Sequence, residues 1–169
     1  MPILSRLIFY AVRWSACRGL HDADAHDDAA SPNAKFEKKE KARRTGMRGE
    51  TYGYWYLRRH GYIFVAKNYM PAGAKGELDL VGYDGNTLAF VEIRTRTVSD
   101  NRSGLPALPE LSVTHSKQAV LVRTAQRFLS ARRLRDCPTR FDVLAIDNIP
   151  GQSPVVRLHK AAFSPQLHR

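Results

Sequence analysis

The chain has 169 residues, 43% of them hydrophobic, which suits one domain of ordinary size with a real apolar core plus an extension. Its formal charge of +11 favours a polyanionic partner, nucleic acid first and an anionic membrane second, with a merely soluble basic protein as the plain alternative. Only Cys17 and Cys137 could form thiol chemistry, far apart and in unlike contexts, which excludes a disulfide framework and a zinc site and makes a reducing cytoplasm the natural setting.

Residues Ile3 to Trp14 form an apolar-rich run interrupted by Arg6 and Arg13. It is too short for a membrane span. It superficially resembles a signal peptide, but Arg6 breaks the apolar core and no clear cleavage site follows. A short amphipathic helix is the expectation. His21 to Ala30 is small and acidic, and Ser31-Pro32-Asn33 is a break, so this stretch reads as a tether. His21, Asp22, Asp24 and His26 are metal-ligating residue types, but a floppy segment is a poor ligand cage. Lys35 to Arg48 is a basic run that includes Arg43, Arg44 and Arg48. A charged solvated helix and a phosphate-contacting one are both open there. The expected organisation is a flexible extension over 1–44 and a folded domain over 45–169.

Thr45 is expected to cap the first helix of that domain and Gly61 to end it. Within it Glu50, Tyr54 and Leu57 share a face, and Gly53 on the same side permits close packing. Glu50 then leans inward and needs a partner, most simply an arginine. Tyr62 to Tyr69 reads as a strand from its aromatic and β-branched content, followed by a Pro- and Gly-containing loop, Met70 to Lys75.

Gly76 to Arg96, GELDLVGYDGNTLAFVEIRTR, reads as two strands joined by a tight Asp84-Gly85 turn. That turn pairs Tyr83 with Asn86, Asp79 with Phe90, and Glu77 with Glu92. Paired residues share a face and side chains alternate. Glu77, Asp79, Leu88, Phe90, Glu92 and Arg94 therefore lie on one face, and Leu78, Leu80, Ala89, Val91 and Ile93 on the other. Three carboxylates and a guanidinium converge at the open end of the hairpin. Opposed carboxylates repel unless a cation or proton intervenes, and hard cations such as Mg²⁺ take oxygen ligands. The bland reading is the wet face of an amphipathic hairpin. A three-residue turn would separate Asp79 from Glu92 and end the metal-site idea.

Val98 to Glu110 reads as a mobile loop. Ser112 to Leu134 reads as a helix burying Val113, Val120, Leu121, Thr124, Phe128 and Leu129. Lys117, Arg123 and Arg127 make much of its remaining surface basic, which serves either solubility or nucleic-acid contact. Arg140 to Asp147 is a strand with Phe141, Val143 and Ala145 inward, and Val155 to His159 is a short last strand. The order of helix, three strands, helix and two strands predicts an α/β fold, a mixed sheet flanked by helices.

From Arg48 to Phe163 the chain resembles the YraN-like family of uncharacterised bacterial proteins. The segments that carry the resemblance are RGETYGYWYLRRHGY, AKNY, GELDLVGYDGNTLAFVEIRTR, VTHSKQAVLVRTAQRFL, RFDVLAI and HKAAF. The resemblance implies a restriction-endonuclease-like fold, similar to the Holliday-junction resolvases and other PD-(D/E)XK nucleases. In that superfamily an aspartate and a (D/E)XK tripeptide hold Mg²⁺ or Mn²⁺ against the scissile phosphate. Asp79 matches the aspartate, Glu92 the glutamate and Glu50 a first-helix glutamate, with Glu77 as a further candidate ligand. The implied catalytic set is Asp79, Glu92, Arg94 and Glu50. The departure is Arg94, which stands where the pattern has lysine. Arginine stays protonated, so Arg94 cannot be a general base, although it can hold phosphate or developing negative charge. Arg96 lies on the same face.

The resulting expectation is a cytoplasmic nucleic-acid-binding protein, DNA favoured over RNA, contacting the backbone through Arg43, Arg44, Arg48, Arg96, Lys117, Arg123 and Arg127. It carries either a Mg²⁺-dependent endonuclease activity on structured or branched DNA or the fold without strong catalysis. A protein-docking adaptor is the third reading. A homodimer would suit a two-stranded branched substrate.

Overall fold

The structure is a computed structural model that describes residues 7–13, 34–98, 113–134, 136–149 and 152–164. The elements are α1 (residues 7–13), α2 (Ala34–Arg59), β1 (Ile63–Tyr69), β2 (Leu78–Asp84), β3 (Thr87–Thr97), α3 (His115–Ala131), β4 (Thr139–Asn148) and β5 (Val155–Phe163). The strands form one sheet in the order β1-β2-β3-β4-β5. All neighbours are antiparallel except β3 and β4, which run parallel. Parallel neighbours need a long crossover, and α3 lies within it. The expected α/β class and element order both hold.

Helices cover both faces. On one, Tyr52 and Leu57 of α2 meet Leu80, Val91, Ile93 and Leu144. On the other, Leu121, Ala125 and Phe128 of α3 meet Val81, Leu88, Phe90 and Val143. β4 is buried on both faces from Phe141 to Asn148, which explains its apolar run Val143 to Ile146. Leu78 departs from strict alternation and joins the α3-side core.

α2 begins at Ala34, not at Thr45. The basic run holds no proline and only Gly46 as a weak breaker, so nothing stops the helix extending back through it. The expected boundary between residues 44 and 45 thus falls inside α2. The far end is as expected. Gly61 takes φ +92°, Tyr62 N donates to Leu57 O at 3.1 Å and Gly61 N to Arg58 O at 3.3 Å, a Schellman closure. The early apolar run also contributes to the core. Phe9 of α1 is buried 5.7 Å from the Tyr52 ring, with the Arg59 guanidinium 4.6 Å above its face.

Two glycines let α2 lie close on the sheet. A methyl on Gly53 would stand 2.9 Å from Ile93 Cδ1 and from Leu144 Cδ2, and one on Gly49 only 1.8 Å from Thr95 Oγ1. No helix among the described residues is long and apolar enough to cross a membrane. The acidic stretch with His21, Asp22, Asp24 and His26 lies outside the described residues, as does the expected mobile loop beyond Val98.

Candidate functional site

The site depends on how the β2–β3 hairpin turns. The turn residues are Gly85-Asn86, one step later than the expected Asp84-Gly85. Gly85 takes φ +62° and Asn86 does not take positive φ, the pattern of a type II′ turn with glycine first. Asp84 stays in the strand opposite Thr87, where Arg140 and Lys160 bind its carboxylate at 2.7 and 2.6 Å. Moving the turn by one position shifts the pairing by two residues, so the paired side chains keep their faces, and Leu78, beyond the last pair, is the exception. Its partner changes. Leu80 pairs with Val91, and one further step places Asp79, not Glu77, opposite Glu92.

The ladder ends at that point. Asp79 Oδ2 accepts a hydrogen bond from Ile93 N at 2.7 Å, in place of a strand carbonyl. β3 continues to Thr97 along β4, so the hairpin opens here beneath the start of α3. The site is not a wet face. Glu92 is only 4% exposed. Its Oε1 lies 3.3 Å from Arg94 Nη2 and 3.2 Å from Lys117 Nζ, while its buried Oε2 has no partner. Arg94 Nε is likewise buried without a partner. Burial and the Glu92 charge push Asp79 up to about 7, against the downward pull of the Ile93 amide and Lys117. Glu50 raises it further through its charge.

Glu50 is therefore electrostatically in reach of Asp79, but its hydrogen bond is to Asn68 Nδ2 at 3.3 Å rather than to an arginine. Asn68 sits near the end of β1 with φ +49°. Glu77 precedes β2 and is half-buried. Among the described residues no three or more His, Cys, Asp or Glu side chains are grouped to hold a metal ion by themselves. What the fold brings together is the pair Asp79 and Glu92. Two carboxylates with an orphaned buried oxygen form an all-oxygen donor set, and Mg²⁺ is commonly held by one or two carboxylates completed by water and phosphate. The pair fits such an ion.

The seven expected phosphate contacts divide into two groups. Arg43 and Arg44 are exposed and share Glu40 at 2.9 and 3.1 Å. Arg48, Arg123 and Arg127 are exposed. Arg96 is instead tied to Asp147, its cross-strand neighbour on β4, by Nε and by Nη2 at 3.0 Å, with Arg157 Nη2 on the same carboxylate at 2.7 Å. Lys117 is not on the outer surface of α3 but inside the carboxylate site. Its place follows from the helix start: Thr114 Oγ1 accepts from Lys117 N at 3.3 Å, which anchors the first turn over β3.

A second polar network went unread in the sequence. Asp142 is fully buried and accepts from Tyr62 OH at 3.0 Å, Arg140 Nε at 2.7 Å and Ala161 N at 2.9 Å. Burial and the Asp142 carboxylate raise the Tyr62 phenol well above its usual range. The network fastens the turn end of the hairpin to β4 and β5, and Asp142 pairs with Val91, one residue from Glu92 but on the opposite face of the sheet. Alternation places Asp142 on a face but cannot show that three elements donate to it.

Comparison with known proteins yields consistent matches. A model of the uncharacterised protein family UPF0102 matches residues 49–146. A UPF0102 protein of Koribacter versatilis is 37% identical over 120 residues, covering 71% of this chain and 79% of its own. One from Geobacter metallireducens is 38% identical over 118 residues, covering 70% and 90%. One from Pseudomonas savastanoi is 40% identical over 119 residues, covering 70% and 91%. The aligned family region contains Glu50, Asp79, Glu92, Arg94 and Lys117.

Proposed function

The chain belongs to the uncharacterised UPF0102 family, and we propose that it is a nucleic-acid-binding protein whose Asp79–Glu92 site hydrolyses phosphodiester bonds with the help of Mg²⁺ or Mn²⁺. The observation that carries the reading is the meeting of Asp79 and Glu92 at the open end of the hairpin, flanked by Arg94 and Lys117. This arrangement agrees with the restriction-endonuclease-like fold that the sequence motifs resemble.

Asp79 and Glu92 would hold the cation, with the Ile93 carbonyl as a further oxygen. Bound there, the ion supplies a more acidic water and a polarised phosphorus. The remaining work belongs to the chain. Arg94 places a fixed positive charge where negative charge develops on the phosphate. Glu50, held by Asn68, adds negative charge beside Asp79 and can orient a water. Arg123 and Arg127 on α3, with Arg43, Arg44 and Arg48 on α2, hold the backbone without reading sequence. The net charge favours a polyanion over a protein-docking role.

A second reading is a binding module with little catalysis. Its support is specific: arginine stands in the lysine position, and Glu92 is already neutralised by two cations of the chain. Purified protein incubated with branched, single-stranded and duplex DNA separates the two. The proposal expects cleavage of at least one substrate with Mn²⁺ and none with EDTA. Salt-sensitive binding without cleavage under any metal condition supports the module instead.

A further inference from the structure

Glu92 receives two cations on one oxygen. Arg94 Nη2 and Lys117 Nζ both approach Oε1, while Oε2 faces no partner. The two cations differ in freedom. Arg94 projects from the middle of β3 and has a buried Nε. The two side chains are nearly equally exposed, 35% for Arg94 and 33% for Lys117, but Lys117 comes from the first turn of α3 and carries its charge on a flexible four-carbon stem with three rotatable donors.

With the carboxylates ionised, Asp79, Glu92 and the nearby Glu50 carry three negative charges, and Arg94 and Lys117 carry two positive ones. A divalent ion added to this set leaves a surplus of one positive charge in a partly buried space. Such a surplus is costly unless an anion enters with it. A phosphate group is an anion of suitable size, and Lys117 is the cation best able to turn towards it.

We propose that Lys117 is a phosphate-positioning residue: its ammonium rests on Glu92 in the free protein and moves to a nucleic-acid phosphate when the carboxylate pair is loaded with a divalent ion. The proposal rests on the reading of Asp79 and Glu92 as a cation site. It makes ion and nucleic acid bind together, each strengthening the other. By linkage the two enhancements are equal. It also gives the chain a lysine near the phosphate although β3 carries Arg94 in that place.

The test uses the full chain and two probes, Mn²⁺ and a fluorescent 20-base-pair duplex checked for intactness after each reading. Free Mn²⁺ is followed by electron paramagnetic resonance and duplex binding by anisotropy. Wild type should bind Mn²⁺ about tenfold more tightly with saturating duplex than without, and the duplex should gain the same factor from Mn²⁺. Lys117→Met should bind Mn²⁺ several-fold more tightly than wild type when no duplex is present, because a competing cation is gone. Its duplex affinity should gain little from Mn²⁺. Lys117→Arg should restore part of that gain, which also guards against a folding defect in the methionine variant.

If Lys117→Met shows wild-type Mn²⁺ affinity and wild-type coupling, the proposal is overturned while the cation site stands. Weaker Mn²⁺ binding in a folded Lys117→Met would overturn it too, because the lysine would then be supporting the site rather than competing for it. If wild type binds no Mn²⁺ even with duplex present, the cation-site reading itself fails, and this proposal falls with it.

Discussion

Asp79 lies opposite Glu92 one step beyond the last pair of the β2–β3 ladder, and its carboxylate takes the Ile93 amide that would otherwise continue the ladder. One acid thus ends the strand pairing and faces a second acid that is sealed under α3. Such a pair is unfavourable in the absence of a cation or a proton.

The first prediction is a pH dependence. Burial and Glu92 raise Asp79 from 3.8 to about 7 in the folded protein. The folded state therefore keeps a proton that the unfolded state has lost between about pH 4 and pH 7. Stability should fall across that window and level off above it. Asp79→Asn should remove this component and be the more stable protein at pH 8 in EDTA, by on the order of 1–3 kcal/mol. Urea unfolding of both proteins at pH 5, 6 and 8 checks it. A difference that does not grow with pH contradicts it.

Arg94 should matter as a charge and not as a proton carrier. Arg94→Lys should keep or raise the cleavage rate. Arg94→Ala should lose ~10²–10³ in rate, as expected for one electrostatic stabiliser, while still binding Mn²⁺. Single-turnover kinetics with a Mn²⁺ titration separates the two effects. Equal rates for Arg94→Ala and wild type would remove Arg94 from the site.

Backbone contact should show in the salt dependence. Arg123 and Arg127 are exposed on α3, and the double alanine variant should bind all duplex sequences more weakly to a similar degree. The slope of log affinity against log salt should become shallower by ~1–2. Anisotropy titrations between low and moderate salt measure it. An unchanged slope would place the nucleic acid on another surface.

The network on the other face of the sheet should matter to stability rather than to ion binding. Asp142→Ala removes the acceptor for Tyr62, Arg140 and the Ala161 amide at a fully buried position. The expected loss is ~3–5 kcal/mol, since the buried donors lose their acceptor. Chemical unfolding would show it. A loss under about 1 kcal/mol would mean that water or Asp84 replaces the carboxylate.

The fold was legible because its signals are local. Period-two alternation located the hairpin strands, and Gly61 and Pro138 punctuated the helices. The faces of Asp79, Glu92 and Arg94 were legible for a less secure reason. The expected turn was one position early, and only because the error moved the register by an even number did those faces survive. The observed turn leaves Asp84 in the strand, where Arg140 and Lys160 from distant sequence positions bind its carboxylate. The sequence places Lys117 on the surface for a similar reason. Helical periodicity places it on a face, but the contact with Glu92 depends on how α3 lies across β3. The backward extension of α2 was missed because Thr45, a good cap in isolation, is simply an interior helical residue here.

The most direct test of the account is cleavage by matched, nuclease-free preparations of wild type, Asp79→Ala and Glu92→Ala. Each protein, shown folded by circular dichroism, would be incubated with end-labelled branched and duplex DNA in Mn²⁺ or EDTA. The account predicts Mn²⁺-dependent cleavage by wild type that both variants lose, with all three proteins still binding DNA. Cleavage that survives both substitutions would contradict it and place the chemistry elsewhere in the molecule.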